Sequence, residues 1–481
     1  MQCHHSQYHN QGIFVYYKNR WYNETDKKNQ HRIIRYISED LFTNVKERLT
    51  EAIELSDDNR TTLWKKLREH TSNNCYMRDI FCHILSVQAG KHTNVRFDEK
   101  PYLLGFENGV VELITKTFRP YKFDDYITLT TKYDYKPIDD TDENKEMRKT
   151  LFDRFNEIQP SLERIKLLTQ ILASGLDGIQ YQKFWFFNGR GGNGKGLIAG
   201  LMRKVLGENF CISPKEEILK EVGKNTGASP DIADLRYKRY IIFTELGGTI
   251  KLTSFRRLTG GDALTARQLY SGNQCFKPSA TMVGDFNVSP DFDGKPTDAD
   301  YRRAMNVNFP NNYTDEVNKI NKTVNGIFYQ KGNPYYVTDE FVEKAKLVFL
   351  DILLDKYVEF YSHEIKGICF DIPDEIRKAS KAFVDETNVF KQIFDELYRP
   401  AKENETKTRT KLSEIWELTQ YHSKYKELSS NAKKQYARDS LYEWVSINYT
   451  VEGKNSKAKY ITGFVSTRIV DDDDDDDDEG V

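Results

Sequence analysis

The chain has 481 residues, 38% of them hydrophobic and 13% aromatic, which predicts several domains with sizeable cores and argues against wholesale disorder. The formal net charge of −2 conceals an acidic run, because residues 471–479 are all Asp or Glu and the remaining chain carries +7. With no apolar stretch of 18 residues, no apolar leader and no C-x-x-C pair, we expect neither a membrane-spanning nor a secreted protein, and a reducing compartment.

Residues 1–150 are predicted to form a mixed, mostly helical N-terminal domain. Apolar residues at helical spacing lie between Leu41 and Leu67. From Pro101 the pattern changes to short strands and turns. Asn108-Gly109 between two apolar runs predicts a hairpin, because both residues tolerate positive φ.

The next region, residues 151–315, is predicted to be an α/β domain with a parallel sheet. Buried-strand runs at 184–187, 240–243 and 280–283 alternate with helices. Residues 316–470 predict a helical C-terminal region, with Thr338 as an N-cap; the order helix, helix, hairpin at its end is compatible with a winged helix. The acidic tail, residues 471–481, is predicted to be disordered by self-repulsion.

The strongest motif follows the first of these strands. A loop with four glycines precedes Lys195, and apolar residues at helical spacing follow it. Such a loop turns backbone N–H groups toward a phosphate, and the helix N-terminus adds about half a positive charge. Lys195 would reach the β- and γ-phosphates of a nucleotide; a flexible surface loop is the alternative. The predicted nucleotide-binding residues are Gly189, Arg190, Gly191, Gly192, Asn193, Gly194, Lys195 and Gly196.

One position departs from the usual phosphate-loop pattern. A Ser or Thr that binds Mg²⁺ normally follows the lysine, whereas here the residue is Gly196. Because Mg²⁺ keeps several waters and needs few protein ligands, we expect a water to replace the missing hydroxyl. The predicted cofactors are therefore ATP and Mg²⁺.

Polar residues near the ends of later elements are candidates for catalysis. Glu245 follows the strand at 240–243, where it can hold Mg²⁺ or polarise the attacking water; a solvated glutamate is the alternative. Asn287 follows the third strand and can orient water or touch the γ-phosphate, or simply form a turn. Arg302 or Arg303 can act across a subunit boundary as an arginine finger, or form an ordinary surface pair.

A second hairpin is predicted around residues 271–273. Arg267, Tyr270 and Lys277 on it can meet a nucleic-acid backbone and bases, although three such residues on a hairpin more often belong to an ordinary surface.

The order of these segments resembles superfamily 3 helicases, ring-forming AAA+ ATPases, and most closely the poxvirus-type primase–helicase family. The matching segments are residues 193–195, 234–236, 257–262, 265–267, 276–278, 287 and 302–303, with residues 102–113 similar to the domain that precedes the helicase. The resemblance implies that Lys195 is the Walker A lysine, Glu245 the Walker B acid and metal ligand, and Asn287 sensor 1. It also implies that Arg302 or Arg303 is the arginine finger.

The resemblance further implies an ATP-dependent DNA helicase subunit that forms a hexameric ring in viral or mobile-element replication. The hairpin at 265–278 would track DNA in the central channel. Expected partners are DNA and further copies of the chain; a separate primase or polymerase is left open, and no membrane is expected. We expect a cytoplasmic location or a viral replication site in the host cell. Too few residues precede the shared region for the family's primase domain, so we expect none.

Three departures from the family pattern keep two alternatives open. Gly196 replaces the hydroxyl residue, glycines 247–248 stand where a further acid is common, and Ser271 stands where a lysine is common. The first alternative is a weakly hydrolysing or non-hydrolysing ring that clamps or loads DNA. The second is a small-molecule P-loop kinase.

Overall fold

The structure is a computed structural model. It describes residues 2–6, 12–17, 19–23, 43, 47, 57–72, 92–93, 96–220, 230–266, 274–293, 295–324, 327–386, 388–402, 409–426, 433–434, 436–453 and 459–467. The acidic tail and most of the predicted helical segment before residue 57 lie outside these residues. Among the described helices, none is both long and apolar enough to span a bilayer.

The described part of the N-terminal region contains more strand than the sequence pattern indicated. Its elements are the strands Gln2–Ser6, Gly12–Tyr17, Arg20–Asn23, His92–Thr93, Leu103–Phe106, Gly109–Glu112 and Thr117–Arg119, the helix Asp57–Ser72 and the 3₁₀ turn Phe123–Asp125. The first four strands form one sheet and the last three another. Stacked aromatic rings, including Phe14 and Phe97 with centroids 3.9 Å apart, fill the core beside the first sheet.

The predicted hairpin at residues 103–112 is present, but its glycine serves a different purpose. Phe106 pairs with Gly109 across a two-residue turn. Gly109 is not among the residues with positive φ. A Cβ at Gly109 would lie 2.6 Å from the carbonyl oxygen of Arg119, so the close approach of the next strand requires glycine here.

The central sheet consists of five parallel strands. In chain order they are β1 (Phe184–Asn188), β2 (Cys211–Ile212), β3 (Tyr240–Phe243), β4 (Thr281–Phe286) and β5 (Ala304–Asn308). They lie side by side in the order β5-β1-β4-β3-β2, with every neighbouring pair parallel. The predicted parallel sheet is confirmed. Because all carboxyl ends meet at one edge, the segments that follow β1, β3 and β4 converge there.

Both faces of the sheet are buried, as the apolar strand sequences require. Along β1, Trp185 and Phe187 face one core, whereas Phe184 and Phe186 face the other. The first core is built by four helices, α1 (Asp142–Ile158), α2 (Leu162–Ser174), α3 (Lys195–Phe210) and α4 (Asp339–Phe360). Helix α4 begins at the predicted N-cap, since the Thr338 hydroxyl accepts a hydrogen bond from the N–H of Phe341.

Shorter elements surround the sheet. They are the helices Glu217–Lys220, Pro230–Ala233, Leu252–Thr259 and Asp298–Arg303, the 3₁₀ turn Pro334–Val337, and the strands Thr249–Lys251, Leu264–Ala266, Gln274–Phe276, Asp291–Asp293, Asn312–Thr314, Lys322–Val324 and Ile327–Lys331. The strands Leu264–Ala266 and Gln274–Phe276 form the second predicted hairpin. Its tip, residues 267–273, lies outside the described residues.

The C-terminal region has a small core of its own, formed by side chains such as Phe394, Leu412 and Trp444. Its elements are the helices Asp374–Glu386, Val389–Leu397, Leu412–Tyr421, Ser423–Lys426 and Arg438–Asn448, and the strands Tyr361–Ser362, Gly367–Ile368, Tyr398–Pro400, Arg409–Lys411, Val451–Glu452, Tyr460–Thr462 and Phe464–Ser466. The predicted terminal hairpin is present. The winged-helix interpretation stays a prediction.

A buried polar cluster joins the N-terminal region to the sheet. Arg239 donates hydrogen bonds to the carbonyl oxygens of Leu176 and Leu103. Close by, the carboxylate of Asp177 accepts hydrogen bonds from the hydroxyls of Tyr181 (2.6 Å) and Tyr357 (2.9 Å). Burial raises the pKa of Asp177 to about 7 and lowers that of Arg239 to about 10, so burial outweighs the attraction between the two groups.

Candidate functional site

The loop between β1 and α3 has the backbone shape that its glycines allow. Gly191, Gly192 and Gly194 have φ values of 93°, 59° and 88°. Space also requires glycine, because a Cβ at Gly194 would lie 2.5 Å from the side chain of Ile158. Three of the four residues 191–194 therefore have positive φ. Because all three are glycines, the backbone bends toward α3 without strain. The predicted strand, loop and helix are thus present in the predicted order.

Lys195 begins α3, and its ammonium group lies at the carboxyl edge of the sheet. It donates hydrogen bonds to the carbonyl oxygens of Gly189 and Phe286 (2.9 Å) and to Oδ1 of Asn287 (3.3 Å). Burial lowers the pKa of Lys195, while the nearby carboxylate of Asp285 opposes that shift. The structure therefore brings Lys195 and Asn287 together. Because an ammonium has three donors, a phosphate bound there must replace at least one of these acceptors.

Glu245 lies two residues beyond β3, at the same edge. Its backbone has a φ of 54°, which non-glycine residues adopt at some cost in energy. The N–H of Glu245 donates to Oδ1 of Asp285 at 2.6 Å, and the N–H of Leu246 donates to the carbonyl oxygen of Asp285 at 2.7 Å. The side chain of Glu245 is exposed.

Asp285 on β4 is the residue that the sequence analysis missed. It lies between the two predicted catalytic positions, since it fixes the backbone of Glu245 and its charge acts on Lys195. The signal was present in the chain: Asp285 and Asn287 are two residues apart at a strand end, so they belong to the same face of the sheet. A search for polar residues at spacing two would have found the pair.

Arg302 and Arg303 lie at the opposite end of the sheet from Lys195, where the parallel strands begin. They end the helix Asp298–Arg303, and the next residue, Ala304, pairs with Phe184 at the start of β1. Five strand residues, about 16 Å, separate this point from the glycine-rich loop of the same chain. The structure therefore does not bring either arginine to the Lys195 site of its own chain.

The helix that carries these arginines is firmly held. Asp300, which is fully buried, accepts hydrogen bonds from Arg256 and from the N–H and hydroxyl of Thr297. At the helix end, the ammonium of Lys183 donates to the carbonyl oxygen of Arg302. The pKa of Lys183 is lowered by burial and by the charges of Arg377 and Arg302, so three cations share this edge.

Of the three residues predicted to bind DNA, only Lys277 lies in the described part of the chain. It follows the second hairpin and lines a cavity of about 390 Å³ at the hairpin base. Arg236 and Lys238, which the sequence analysis did not select as site residues, line the same cavity. Burial lowers the pKa of Lys238. Arg267 and Tyr270 lie outside the described residues.

The donors around Lys195 suit a hydrated Mg²⁺ better than a fully protein-bound metal. Across the described residues, no three His, Cys, Asp or Glu side chains form a metal-binding group. Glu245, Asp285 and Asn287 supply oxygen atoms at one sheet edge, and Mg²⁺ takes oxygen ligands while retaining waters. Beside them, an added Cβ on Gly196 would meet no atom within 4 Å, so the helix start is open.

These observations define an α/β protein with a glycine-rich loop, a buried lysine and converging polar residues at one sheet edge. The family model described as "D5 N terminal like" matches residues 4–156. "Putative helicase L207/L206" of Acanthamoeba polyphaga mimivirus is 31% identical over 238 residues, which are 49% of this chain and 24% of that protein. "Primase D5" of Fowlpox virus (strain NVSL) is 27% identical over 286 residues, 56% of this chain and 35% of that protein.

These matches confirm the resemblance to primase–helicases of the poxvirus and large-DNA-virus type. The matched region spans about a quarter to a third of the length of these curated relatives. A solved structure titled "The A form apo structure of NrS-1 C terminal region-CTR" aligns over 94% of both chains, with 13% identity and a TM-score of 0.41.

Proposed function

We propose that the chain is an ATP-dependent DNA helicase subunit of a viral or mobile-element replication machinery. In this proposal it forms an AAA+ ring, hexameric by the family resemblance, and couples hydrolysis to movement along a strand. The observation that carries the proposal is the contact between Lys195 and Asn287, which are 92 residues apart in sequence. Lys195 and Asn287 were each predicted to contact phosphate. They lie within hydrogen-bond distance of each other at the carboxyl ends of the strands, where α/β proteins bind ligands.

The chemistry follows from the charges at this edge. The backbone N–H groups of residues 191–194 and the Lys195 ammonium would hold the β- and γ-phosphates. Glu245, positioned by Asp285, would polarise the attacking water, and Asn287 would orient it. Mg²⁺ bound with the nucleotide supplies neutralisation of the phosphate charge.

The position of the arginines supports a site shared between copies. Arg302 and Arg303 end a well-anchored helix at the edge opposite to the loop of their own chain. An arginine finger must reach the γ-phosphate, and its effect on the rate of phosphoryl transfer is about 10³–10⁵-fold. In the proposal this residue comes from the neighbouring subunit, so an isolated copy would hydrolyse ATP slowly.

The second hairpin would carry the contact with DNA. Lys277, Arg236 and Lys238 gather positive charge at its base. Opening one base-pair step costs about 1.4 kcal/mol on average, which is a tenfold disadvantage at each step. Sustained unwinding therefore needs the free energy of ATP hydrolysis, transmitted from the site at Lys195 to the hairpin.

The proposal is tested by ATP hydrolysis with single-stranded DNA titrated in. The wild type, Lys195→Ala and the exposed-site control Lys215→Ala are compared at low salt, where phosphate contacts are strongest. We expect DNA to stimulate turnover in the wild type and the control, and Lys195→Ala to lose it. Equal turnover by the wild type and Lys195→Ala would remove Lys195 from the mechanism.

A second candidate function is a ring that binds ATP and clamps DNA with little hydrolysis. The observation that favours it is Gly196, which leaves the start of α3 without the hydroxyl that normally binds Mg²⁺. A clamp would bind ATP and retain DNA in the same assay without stimulated turnover. Binding and turnover are therefore measured on the same preparation.

A further inference from the structure

The chain between Asn287 and the arginine pair runs from one end of the central sheet to the other. Asn287 follows β4 at the carboxyl ends of the strands, whereas Arg302 and Arg303 precede β5, where the parallel strands begin. This connecting segment, residues 288–303, therefore joins a residue of the chain's own candidate site to the arginines that are proposed to serve the neighbouring copy.

The C-terminal region contacts the connecting segment through two exposed polar pairs. Gln392 donates a hydrogen bond from Nε2 to Oδ1 of Asp291 at 2.9 Å. Further along the segment, the ammonium of Lys295 lies 2.7 Å from Oε2 of Glu443. The side chain of Glu443 is 63% exposed, and exposed ion pairs contribute little to stability. These two contacts show that the C-terminal region lies against the segment, but they are too weak to fix the arginines.

A third contact lies next to the arginines and is stronger. The hydroxyl of Tyr301 donates a hydrogen bond to Oδ1 of Asp385 at 2.7 Å, in a partly buried position. Burial and the neighbouring carboxylate raise the pKa of Tyr301, so its hydroxyl keeps the proton and remains the donor. A hydrogen bond to an ionised acceptor is roughly twice as strong as one between neutral groups. The contact therefore holds the end of the helix that carries Arg302.

The helix that carries Asp385 is itself anchored beside the sheet. Two residues before Asp385, the ring of Phe383 packs against that of Phe186 in β1, with centroids 4.8 Å apart. One turn earlier, the buried hydroxyl of Ser380 accepts a hydrogen bond from the N–H of Asn306 in β5 at 2.8 Å. Asp385 is therefore a fixed support for its hydrogen-bond partner on the connecting segment.

We propose that the hydrogen bond from Tyr301 to Asp385 positions the arginine pair for the active site of the neighbouring copy. Arg302 is exposed and Arg303 is half-buried, so the position of their helix decides where the guanidinium groups can reach. Tyr301 is then a positioning residue, because it acts through the arginines and touches neither the nucleotide nor the reacting atoms. The inference rests on the proposed function, since it needs a site shared between copies.

The test places one substitution on either side of the shared site. A finger donor carries Lys195→Ala, so its own site is inactive. A site donor carries Arg302→Ala and Arg303→Ala, so it supplies no arginine to its neighbour. ATP hydrolysis by the mixture, with Mg²⁺ and single-stranded DNA, then comes from sites where the two kinds of copy meet. Tyr301→Phe is added to one donor at a time.

The result depends on which donor carries the substitution. We expect Tyr301→Phe in the finger donor to lower hydrolysis about tenfold, well within the 10³–10⁵-fold effect of an arginine finger. In the site donor, which has no arginines to position, it should leave hydrolysis unchanged. Asp385→Ala should repeat this asymmetry, whereas Asp385→Asn, which keeps an oxygen acceptor, should retain most of the activity. The control Tyr425→Phe, which removes a buried hydroxyl hydrogen bond within the C-terminal core, should change neither mixture.

The outcomes separate this inference from the proposed function. Equal losses with Tyr301→Phe in either donor would mean that the contact only stabilises the fold, and no loss in either would mean that it does not position the arginines. Asp385→Ala carries the test if thermal unfolding shows that Tyr301→Phe does not fold. A mixture of the two unmodified donors that stays inactive would contradict the shared site, and with it the proposed function itself.

Discussion

Replacing Asp285 with alanine should slow ATP hydrolysis by acting through Glu245. The carboxylate accepts the N–H of Glu245 at 2.6 Å, and a hydrogen bond to a charged group is worth about 1.5–3 kcal/mol. The left-handed backbone of Glu245 costs about 1–2 kcal/mol, so this bond is large enough to maintain it. Without the bond Glu245 can relax, and a loss of about 1.4 kcal/mol in the transition state lowers kcat tenfold.

The assay is a double-mutant cycle on steady-state hydrolysis, with Asp285→Ala, Glu245→Gln and the double variant. We expect kcat to fall about tenfold or more in Asp285→Ala with a smaller change in KM, and little further loss when Asp285→Ala is added to Glu245→Gln. Asp285→Asn, which keeps an oxygen acceptor, should retain more activity than the alanine variant. A kcat for Asp285→Ala within twofold of the wild type, or fully additive effects, would refute the positioning role of Asp285.

Three further predictions concern other parts of the chain. Gly196→Ser adds a hydroxyl in open space and a better helix former, so ATPase activity should stay equal or rise. Arg302→Ala or Arg303→Ala should lose activity alone and regain part of it when mixed with inactive Lys195→Ala, because loop and finger come from different copies. Asp177 has a folded pKa of about 7, above its unfolded value near 4, so the folded state keeps a proton that the unfolded chain releases. The free energy of unfolding of the wild type therefore falls as pH rises between those two values. Between pH 5 and pH 8, the free energy of unfolding of Asp177→Asn, measured in urea, should rise by about 2.5 kcal/mol relative to that of the wild type.

Each of these predictions has a contradicting result. A large loss of activity in Gly196→Ser would mean that the site does not use a metal in the usual way. Mixtures of the arginine variants with Lys195→Ala that stay inactive would contradict the shared site. The exposed control Asp374→Asn should differ from the wild type in unfolding free energy by an amount that does not change with pH. The same pH-independent difference for Asp177→Asn would contradict the titration of Asp177.

Much of the sheet could be predicted because its strands are continuous apolar runs. The runs at 184–187 and 240–243 match β1 and β3 within one residue, and the helix after the loop begins at Lys195. Within α3, Gly207 has a φ of 63° and interrupts the helical backbone near the end of the helix. These features are local: burial on both faces and backbone freedom are visible in neighbouring residues.

The rest depended on long-range geometry. The two-residue strand β2 is too short to give a pattern, and only pairing with β3 makes it a strand. Asp285 was given no role from the sequence, because its partner, the N–H of Glu245, is 40 residues away. A cavity beside Gly192 is lined by four separate segments of the chain, so no local sequence pattern predicts it.

The most direct measurement is an experimental structure of the chain with Mg²⁺ and a non-hydrolysable ATP analogue. We expect its β- and γ-phosphates within hydrogen-bond distance of the Lys195 ammonium and the N–H groups of residues 191–194, with Arg302 or Arg303 of a second copy at the γ-phosphate. An analogue bound elsewhere, with Lys195 still bonded to Gly189 and Asn287, would contradict the proposed site.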